Sequence, residues 1–418
     1  MKSYTEYLSR PTSTEVTERL VRYASYETTS DRHAETTPTT ETQWKLARLL
    51  VDELKALGVS DVDLDEHCYL IARVPASPGM EKVPSIGLMA HLDTSSDVSG
   101  KDVKARIVRN YDGKPVKLSE GWILDPAEYP DLADHVGDDI VVTDGTTLLG
   151  ADDKAGIAEI MTALNVLRKD ASIKHGPLEI IFTPDEETGK GMDRFPLKAL
   201  KSVACYTFDG GKGGEVEAEC FTAYEVKAEF TGKVIHIGSA RGKLANAVAM
   251  AASFVTMLPR SEAPESTDGW YGYYCPLEMQ GSLEKASVDV FLRDFSQKGM
   301  EARIESVKAI AKAVEAQFPL GSVSLQINKQ YVNMREKLDQ TPEVLERAME
   351  AGRRAGVETV VRPIRGGTDG ARLTEMGIPT PNFYTGGYNY HSRFEWASVA
   401  EMSATVDTVI ELVKLWAS

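Results

Sequence analysis

The sequence predicts an α/β chain: a mostly parallel central sheet flanked by helices, interrupted by a smaller α+β domain of ferredoxin-like pattern. Three observations predict it. Short apolar runs alternate with helical stretches between Ile86 and Phe208, the rhythm of strands joined by crossover helices. After about Phe221 the order becomes β-α-β-β-α-β, ending near Ile327, which is the split βαβ pattern. The 418 residues also exceed one ordinary domain of about 100–200 residues. We therefore expect a first domain in two parts, residues 1–220 and 333–418, with a second inserted at 221–332.

The elements follow in order. Thr12 to Ala24 and Glu41 to Leu57 carry apolar residues at helical spacing, with Gly58 as a stop. The Thr-, Ser- and Asp-rich stretch Glu27 to Thr40 between them is expected to be loop. Ile86 to Ala90, Leu178 to Phe182 and Ala204 to Phe208 are short and apolar, as buried strands are, while Lys154 to Leu167 sets Ile157, Ile160, Met161, Leu164 and Leu167 on one helical face. In the insertion, Tyr224 to Phe230, Tyr273 to Gln280, Ser287 to Phe295 and Ser322 to Ile327 read as strands. Leu244 to Leu258, ended by Pro259, and Met300 to Phe318 read as helices. The helix Thr341 to Ala355, a Gly-rich turn Gly366 to Gly370 and a last helix Ala400 to Trp416 complete the chain.

Composition excludes several classes of function. Forty-seven basic against 63 acidic residues give a net charge of −16, so the chain is a poor general binder of nucleic acid, whose phosphates need Lys and Arg. It lacks polybasic segments for anionic membranes and any apolar stretch long enough to span one. MKSYTEYLSRP has no apolar core of a secretory signal. Cys68, Cys205, Cys220 and Cys275 lie far apart with no C-x-x-C pair, which suits neither a disulfide framework nor a thiolate zinc site. A cytoplasmic location is expected.

The chemistry gathers in short runs, most of them after an apolar segment. In MAHLDT, Met89 to Thr94, His91 and Asp93 point to the same side of a strand, where a carboxylate can hold the second ring nitrogen of a ligating imidazole. LLGADDKAG, Leu148 to Gly156, places Asp152 and Asp153 before a helix; IIFTPDEETG, Ile180 to Gly189, empties a strand into three acids. YTFDGG, Tyr206 to Gly211, ends a strand with Asp209, and GGYNYHSRFEW, Gly386 to Trp396, holds His391 in a loop. Taken singly, each has a plain structural reading as a surface histidine, a helix N-cap or a solvated charge run. Together they converge, because loops at the carboxyl ends of strands in an open α/β sheet meet at one site. Two histidines with several carboxylates and no cysteine suit catalytic zinc, manganese or cobalt, and two cations can share one carboxylate. His33, His67, His135 and His175 lack such surroundings and are assigned to surface or core.

In this order, MAHLDT, GADDKAG, FTPDEETG, TFDGG, RGGTDG and YNYH, with an insertion between the fourth and fifth, resemble the co-catalytic dizinc metallopeptidase family. That family includes carboxypeptidase G-like and succinyl-diaminopimelate desuccinylase-like enzymes. The resemblance spans essentially the whole chain, and GADDKAGIAEIMTAL and TGGYNYH resemble its tripeptide aminopeptidases.

The resemblance implies a zinc-peptidase-like fold and removal of the N-terminal residue from tripeptides. It implies two Zn2+ per subunit, with Co2+ or Mn2+ as substitutes. His91, Asp152 and Asp209 would hold one ion, and Asp152, Glu187 and His391 the other. Asp152 is taken over Asp153 as the bridge because the family's bridging residue stands two before the Lys, here Lys154, and the peptide between the two acids is often cis in the family. Asp93 would orient His91, and Glu186 would be the general base.

The inserted domain would be a lid and a dimerisation domain, giving a homodimer. Its segment TGKVIHIGSARGKLANA, Thr231 to Ala247, carries His236 to polarise the scissile carbonyl, with Ile237 where the family has Pro. Asn246 and Arg293 would grip the substrate's carboxylate, although Arg293 can equally pair with Asp294 or Asp289. Gly367 and Thr368 would line the same pocket. Two other readings compete: an amidohydrolase acting on N-acyl amino acids or dipeptides, and a catalytically silent binding protein. The presence of Glu186 and every matched ligand argues against the silent protein.

Overall fold

The computed structural model describes residues 3–119 and 121–418. The chain forms two compact units, one of Met1–Ala218, Lys337–Arg362 and Thr368–Ser418, the other of Glu219–Glu336 and Pro363–Gly367.

The larger unit is built on an eight-stranded sheet. Its strand order is Asp61–Leu64, Leu70–Val74, Leu178–Thr183, Ile86–His91, Ala204–Gly210, Asn382–Tyr384, Glu215–Cys220, Val360–Ile364. Ile86–His91 pairs in parallel with Leu178–Thr183 on one side and Ala204–Gly210 on the other, and Ala204–Gly210 is parallel to Asn382–Tyr384. Leu70–Val74 and Asp61–Leu64 close that edge antiparallel. Ile86–His91 and Leu178–Thr183 are buried at every residue, which is why they read as unbroken apolar runs rather than alternating ones. Their register sets Ile86 opposite both Leu178 and Ala204, and His91 opposite Thr183. The carboxyl ends of the three strands are thereby level with one another.

Helix Ala151–Lys169 packs on this sheet and on helices Pro11–Ala24 and Val399–Trp416. It is enclosed on nearly all sides: Ala155 to Leu164 are all buried, as expected of a helix lying between a sheet and other helices. Its Gly156 is required by close approach, since a Cβ there would collide with the backbone carbonyl of Phe208. Asp152 and Asp153 do not have helical dihedrals, and the peptide joining them is cis.

A second, antiparallel sheet in the order Gly387–Tyr388, Trp396–Ser398, Ile140–Val142, Arg106–Val108 was not foreseen from the sequence. Its strands are two or three residues long, too short to show a period. The Gly-rich stretch also differs from expectation. Only its first part is a turn, because Thr368 caps a helix over Asp369–Glu375, accepting from the Ala371 N–H with its hydroxyl.

The smaller unit realises the β-α-β-β-α-β order as an antiparallel sheet, Tyr273–Gly281, Lys285–Asp294, Thr222–Thr231, Ser322–Tyr331. Helices Ala247–Met257 and Gln297–Gln317 cover one face, over a core that includes Val226, Phe230, Phe254, Val288, Val290, Leu292 and Val307. Asn246 and Ser296 cap the two helices through their side-chain oxygens.

Candidate metal centre

The level strand ends deliver the side chains. His91 closes the central strand, Asp209 stands one residue before the end of Ala204–Gly210, and the loop after Leu178–Thr183 carries Asp185, Glu186 and Glu187. Asp152 and Asp153 enter from the start of the helix Ala151–Lys169. His391 comes from a hairpin loop between Gly387–Tyr388 and Trp396–Ser398, with φ of 59°. Asp185 and Asn389 also have positive φ, 61° and 55°; side-chain-bearing residues adopt that region only where surrounding structure compels it.

These groups meet at hydrogen-bonding distance. His91 Nε2 lies 2.9 Å from Asp152 Oδ1 and 3.4 Å from Asp209 Oδ1. His391 Nε2 lies 3.2 Å from Asp152 Oδ2 and 3.0 Å from Glu187 Oε2. Asp152 thus turns one oxygen to each histidine. Asp153 accepts the His91 backbone N–H at 3.1 Å and the Gly156 N–H at 3.3 Å. Asp93, wholly buried, accepts the N–H of Glu186 at 2.9 Å and of Glu187 at 3.2 Å, with His91 Nδ1 3.3 Å from its carboxylate. Asp93 therefore fixes the turn that carries the two glutamates through its carboxylate, and the imidazole through its backbone carbonyl, 3.1 Å from His91 Nδ1, with the carboxylate alongside. Asp185 in turn accepts from the backbone and hydroxyl of Thr39 and from Gln43 Nε2.

Burial and crowding set the charge states. Burial raises Glu186 well above the ordinary carboxylate range, and the Asp209 charge adds to it. Burial lifts Glu187 to about 7, helped by Asp152, and lifts Asp209 to about 7 against the pull of His91. Asp152 is held below the usual range in spite of burial, because both histidines bond it. His391 rises to about 12: its burial works against this, and its bonds to Asp152 and Glu187 prevail.

This donor set fits divalent cations. Each of two groups, His91 with Asp153 and Asp209, and His91 with Asp152 and Glu187, offers ligand atoms within 4.8 Å of one another. Glu187 Oε1 is buried without a hydrogen-bond partner, a costly state unless something electropositive faces it. Imidazole nitrogen with carboxylate oxygen is the ligand set of catalytic Zn, Mn or Co sites.

Comparison with known proteins accords with this chemistry. Residues 143–415 match the model of Peptidase family M20/M25/M40. Peptidase T of Geobacillus thermodenitrificans (strain NG80-2) is 45% identical over 404 residues, covering 96% of this chain and 98% of that protein. The chain belongs to peptidase family M20/M25/M40. Peptidase T of Clostridium perfringens (strain 13 / Type A) is 43% identical over 402 residues, 96% of this chain and 99% of that one. Among solved structures, the aminopeptidase PepT from Bacillus cereus ATCC 10987 superposes with a TM-score of 0.73 at 23% identity, covering 97% of this chain and 99% of that chain. The resemblance read from the motifs, the fold class and the expectation of a peptidase-type hydrolase all hold for this M20 member.

The other residues singled out in the sequence take the following places within their own units. In the smaller unit His236 is exposed, and Asn246 spends its side-chain oxygen on the N–H groups of Val248 and Ala249. Arg293 is buried, donates from Nη1 to the carbonyls of Tyr224 and Leu292, and lies over the ring of Phe291. It pairs with neither acid offered as an alternative; Asp294 instead accepts from Arg303. Gly367 belongs to that unit and presses on the ring of Tyr331, while Thr368 is the helix cap in the larger unit.

The surroundings of one histidine differ from expectation. His135, read as lacking acidic surroundings, is buried 3.2 Å from Asp138 and 3.8 Å from Glu401, stacked under Tyr4. Asp138 follows three positions on and Glu401 comes from the last helix, and the placing of His135 in the core stands. Sequence reasoning also missed Asp97, 3.1 Å from His391 Nδ1, and Asn382, which accepts the Asp209 N–H at 3.0 Å. No spacing in the sequence relates either to its partner. Among the described residues, no helix is long and apolar enough to cross a membrane.

Proposed function

We propose that the chain is a cytoplasmic metallo-aminopeptidase that removes the N-terminal residue from tripeptides, using two zinc ions that cobalt or manganese can replace. His91, Asp152 and Asp209 would hold one ion, and Asp152, Glu187 and His391 the other. The observation that carries the reading is the Asp152 carboxylate, with its oxygens 2.9 Å from His91 and 3.2 Å from His391. The names of the relatives support it, since PepT of Bacillus cereus is called an aminopeptidase and a Staphylococcus aureus structure with a TM-score of 0.76 is called a tripeptidase. The free cysteines suit a reducing compartment.

Such a pair of cations, when bound, lowers the pKa of water from about 15.7 toward about 7 and polarises the scissile carbonyl. The chain's own groups do the rest. Glu186, buried and of high proton affinity, takes a proton from the attacking water as the C–O bond forms and gives it to the amine as the C–N bond breaks. Asp93 keeps Glu186 and His91 in place. His236 donates to the carbonyl oxygen as negative charge develops there, a contribution of about 3–4 kcal/mol for a well-placed donor. Asn246, through its amide nitrogen, and Arg293 bind the substrate carboxylate, with Gly367 and Thr368 as further contacts, and the smaller unit serves as lid and homodimer contact.

The test is a panel of three-residue peptides with free and N-acetylated termini. Release of the first residue from the free peptides alone supports the reading; cleavage of only the acetylated ones replaces it with the amidohydrolase reading.

A further inference from the structure

Glu395 is 2% exposed, and nothing in the reaction uses it. Its Oε2 accepts the N–H of Leu149 at 2.7 Å and of Gly150 at 2.8 Å, and its Oε1 accepts the N–H of Asp152 at 3.1 Å. Three donors of the loop that presents Asp152, the N–H groups of Leu149, Gly150 and Asp152, converge on one carboxylate. Gly150 holds φ of 77° there, so the loop is bent toward Glu395 by a residue free to adopt that conformation. Glu395 also stands four positions after His391, in the same hairpin loop. The next residue, Trp396, pairs with Val142 in the second sheet, so Glu395 is mounted on a rigid base. A buried cation, Lys154, donates to the Tyr26 carbonyl at 2.7 Å and faces Glu395 electrostatically.

Glu395 therefore ties together two loops that arrive from distant parts of the chain, one bearing Asp152 and the other His391. We infer that Glu395 is a positioning residue that sets the spacing between Asp152 and His391, and so determines whether the ion between Asp152, Glu187 and His391 is held. This rests on the two-cation reading above. The other ion shares Asp152 but is also held by His91 and Asp209, whose supports are the central strand, Asp93 and Asn382, whereas the His391 ion draws two of its three ligands from the loops Glu395 joins, so the effect of Glu395 falls chiefly on that ion. Outer partners of metal ligands commonly govern affinity by about 10–100-fold.

The experiment is a titration of the full-length chain, stripped of metal by a chelator, with Co2+ followed by visible absorption, together with the zinc content of the protein as purified. For Glu395→Gln, whose amide would turn N–H groups toward N–H donors, the expected result is one tight equivalent as in wild type. A second equivalent should be weakened about 10–100-fold, with zinc content falling from two toward one. Glu395→Asp keeps the charge but is too short to serve both ends of the loop, and it should show the same selective loss should the glutamine variant not fold. His391→Ala should remove the same equivalent, and combining it with Glu395→Gln should weaken that site no further. Two equivalents bound as in wild type, or both weakened alike, would overturn the inference. Wild type taking up no more than one equivalent would instead refute the two-cation reading, an outcome distinguishable because it needs no variant.

Discussion

Replacing Asp93 by Asn alters a single atom at the most heavily shared support of the site. Asp93 is wholly buried and accepts from the N–H groups of Glu186 and Glu187 with different oxygens, 2.9 and 3.2 Å away, beside His91 Nδ1 at 3.3 Å. Asparagine fills the same space but keeps one acceptor; its NH2 must face one of the two N–H donors or the imidazole. One charge-assisted bond is lost, about 1.5–3 kcal/mol, and a buried donor is left unpaired, about 1–3 kcal/mol. The expected destabilisation of the metal-free protein is about 3–5 kcal/mol, large for a change that creates no cavity. Urea unfolding of wild type and Asp93→Asn measures it directly, and Co2+ titration should show binding weakened by about 10–100-fold. A destabilisation below about 0.5 kcal/mol, within the range of ordinary surface substitutions, would refute the claim that Asp93 holds the glutamate turn and His91 together.

Two further outcomes follow from the same geometry. Gly156→Ala places a methyl against the Phe208 carbonyl, on a strand with no room to move. The overpacking should cost about 1–3 kcal/mol or more, exceeding the gain of about 1 kcal/mol in helix propensity; a urea midpoint at or above wild type would contradict it. The metal-free protein should also lose stability as pH rises. Burial lifts Asp209 and Glu187 to about 7, above their unfolded values near 4, so the native state holds more protons between them. Their contribution is complete below about pH 4 and lost as pH passes through about 7. His391, raised to about 12 by Asp152 and Glu187 against its burial, acts with the same sign above its unfolded value near 6.5. Urea midpoints should fall from pH 5 to pH 8, and added Zn2+ should shrink the fall by taking the place of protons; a rise without metal would contradict this.

Much of this was legible in the sequence because its signals are local. The run GLMAH announces a buried strand, and its register with LEIIFT and ACYTF explains why His91, Glu186, Glu187 and Asp209 converge. The ferredoxin-like order was legible for the same reason, since its strands of nine or ten residues and two long helices show their periods. His391 was different. Its hairpin belongs to a sheet of two- and three-residue strands, so the loop itself gave only a weak signal and the ligand role came from the resemblance to a family. Asp61–Leu64, at the sheet edge, alternates exposed and half-buried residues with none buried and is too short to carry much apolar signal. Glu395, Asp97 and Asn382 act through contacts across 243, 294 and 173 positions, and no local pattern encodes a partner that far away. Asp369, raised to about 7 by its burial and adding to the charge around Glu186, was passed over within a Gly-rich turn that proved to open a helix.

In the proposed reaction Glu186 moves the proton in tripeptide hydrolysis at a two-metal centre. The most direct measurement is release of the N-terminal residue from a free tripeptide by wild type and Glu186→Ala, with metal content determined on the same samples. Two metals are expected in both proteins, with a loss of activity in the variant of about 10²–10⁴-fold, the range of a general base. A variant that keeps two metals and wild-type activity would contradict the assignment of Glu186, and a fully metal-loaded wild type that leaves tripeptides intact would contradict the substrate.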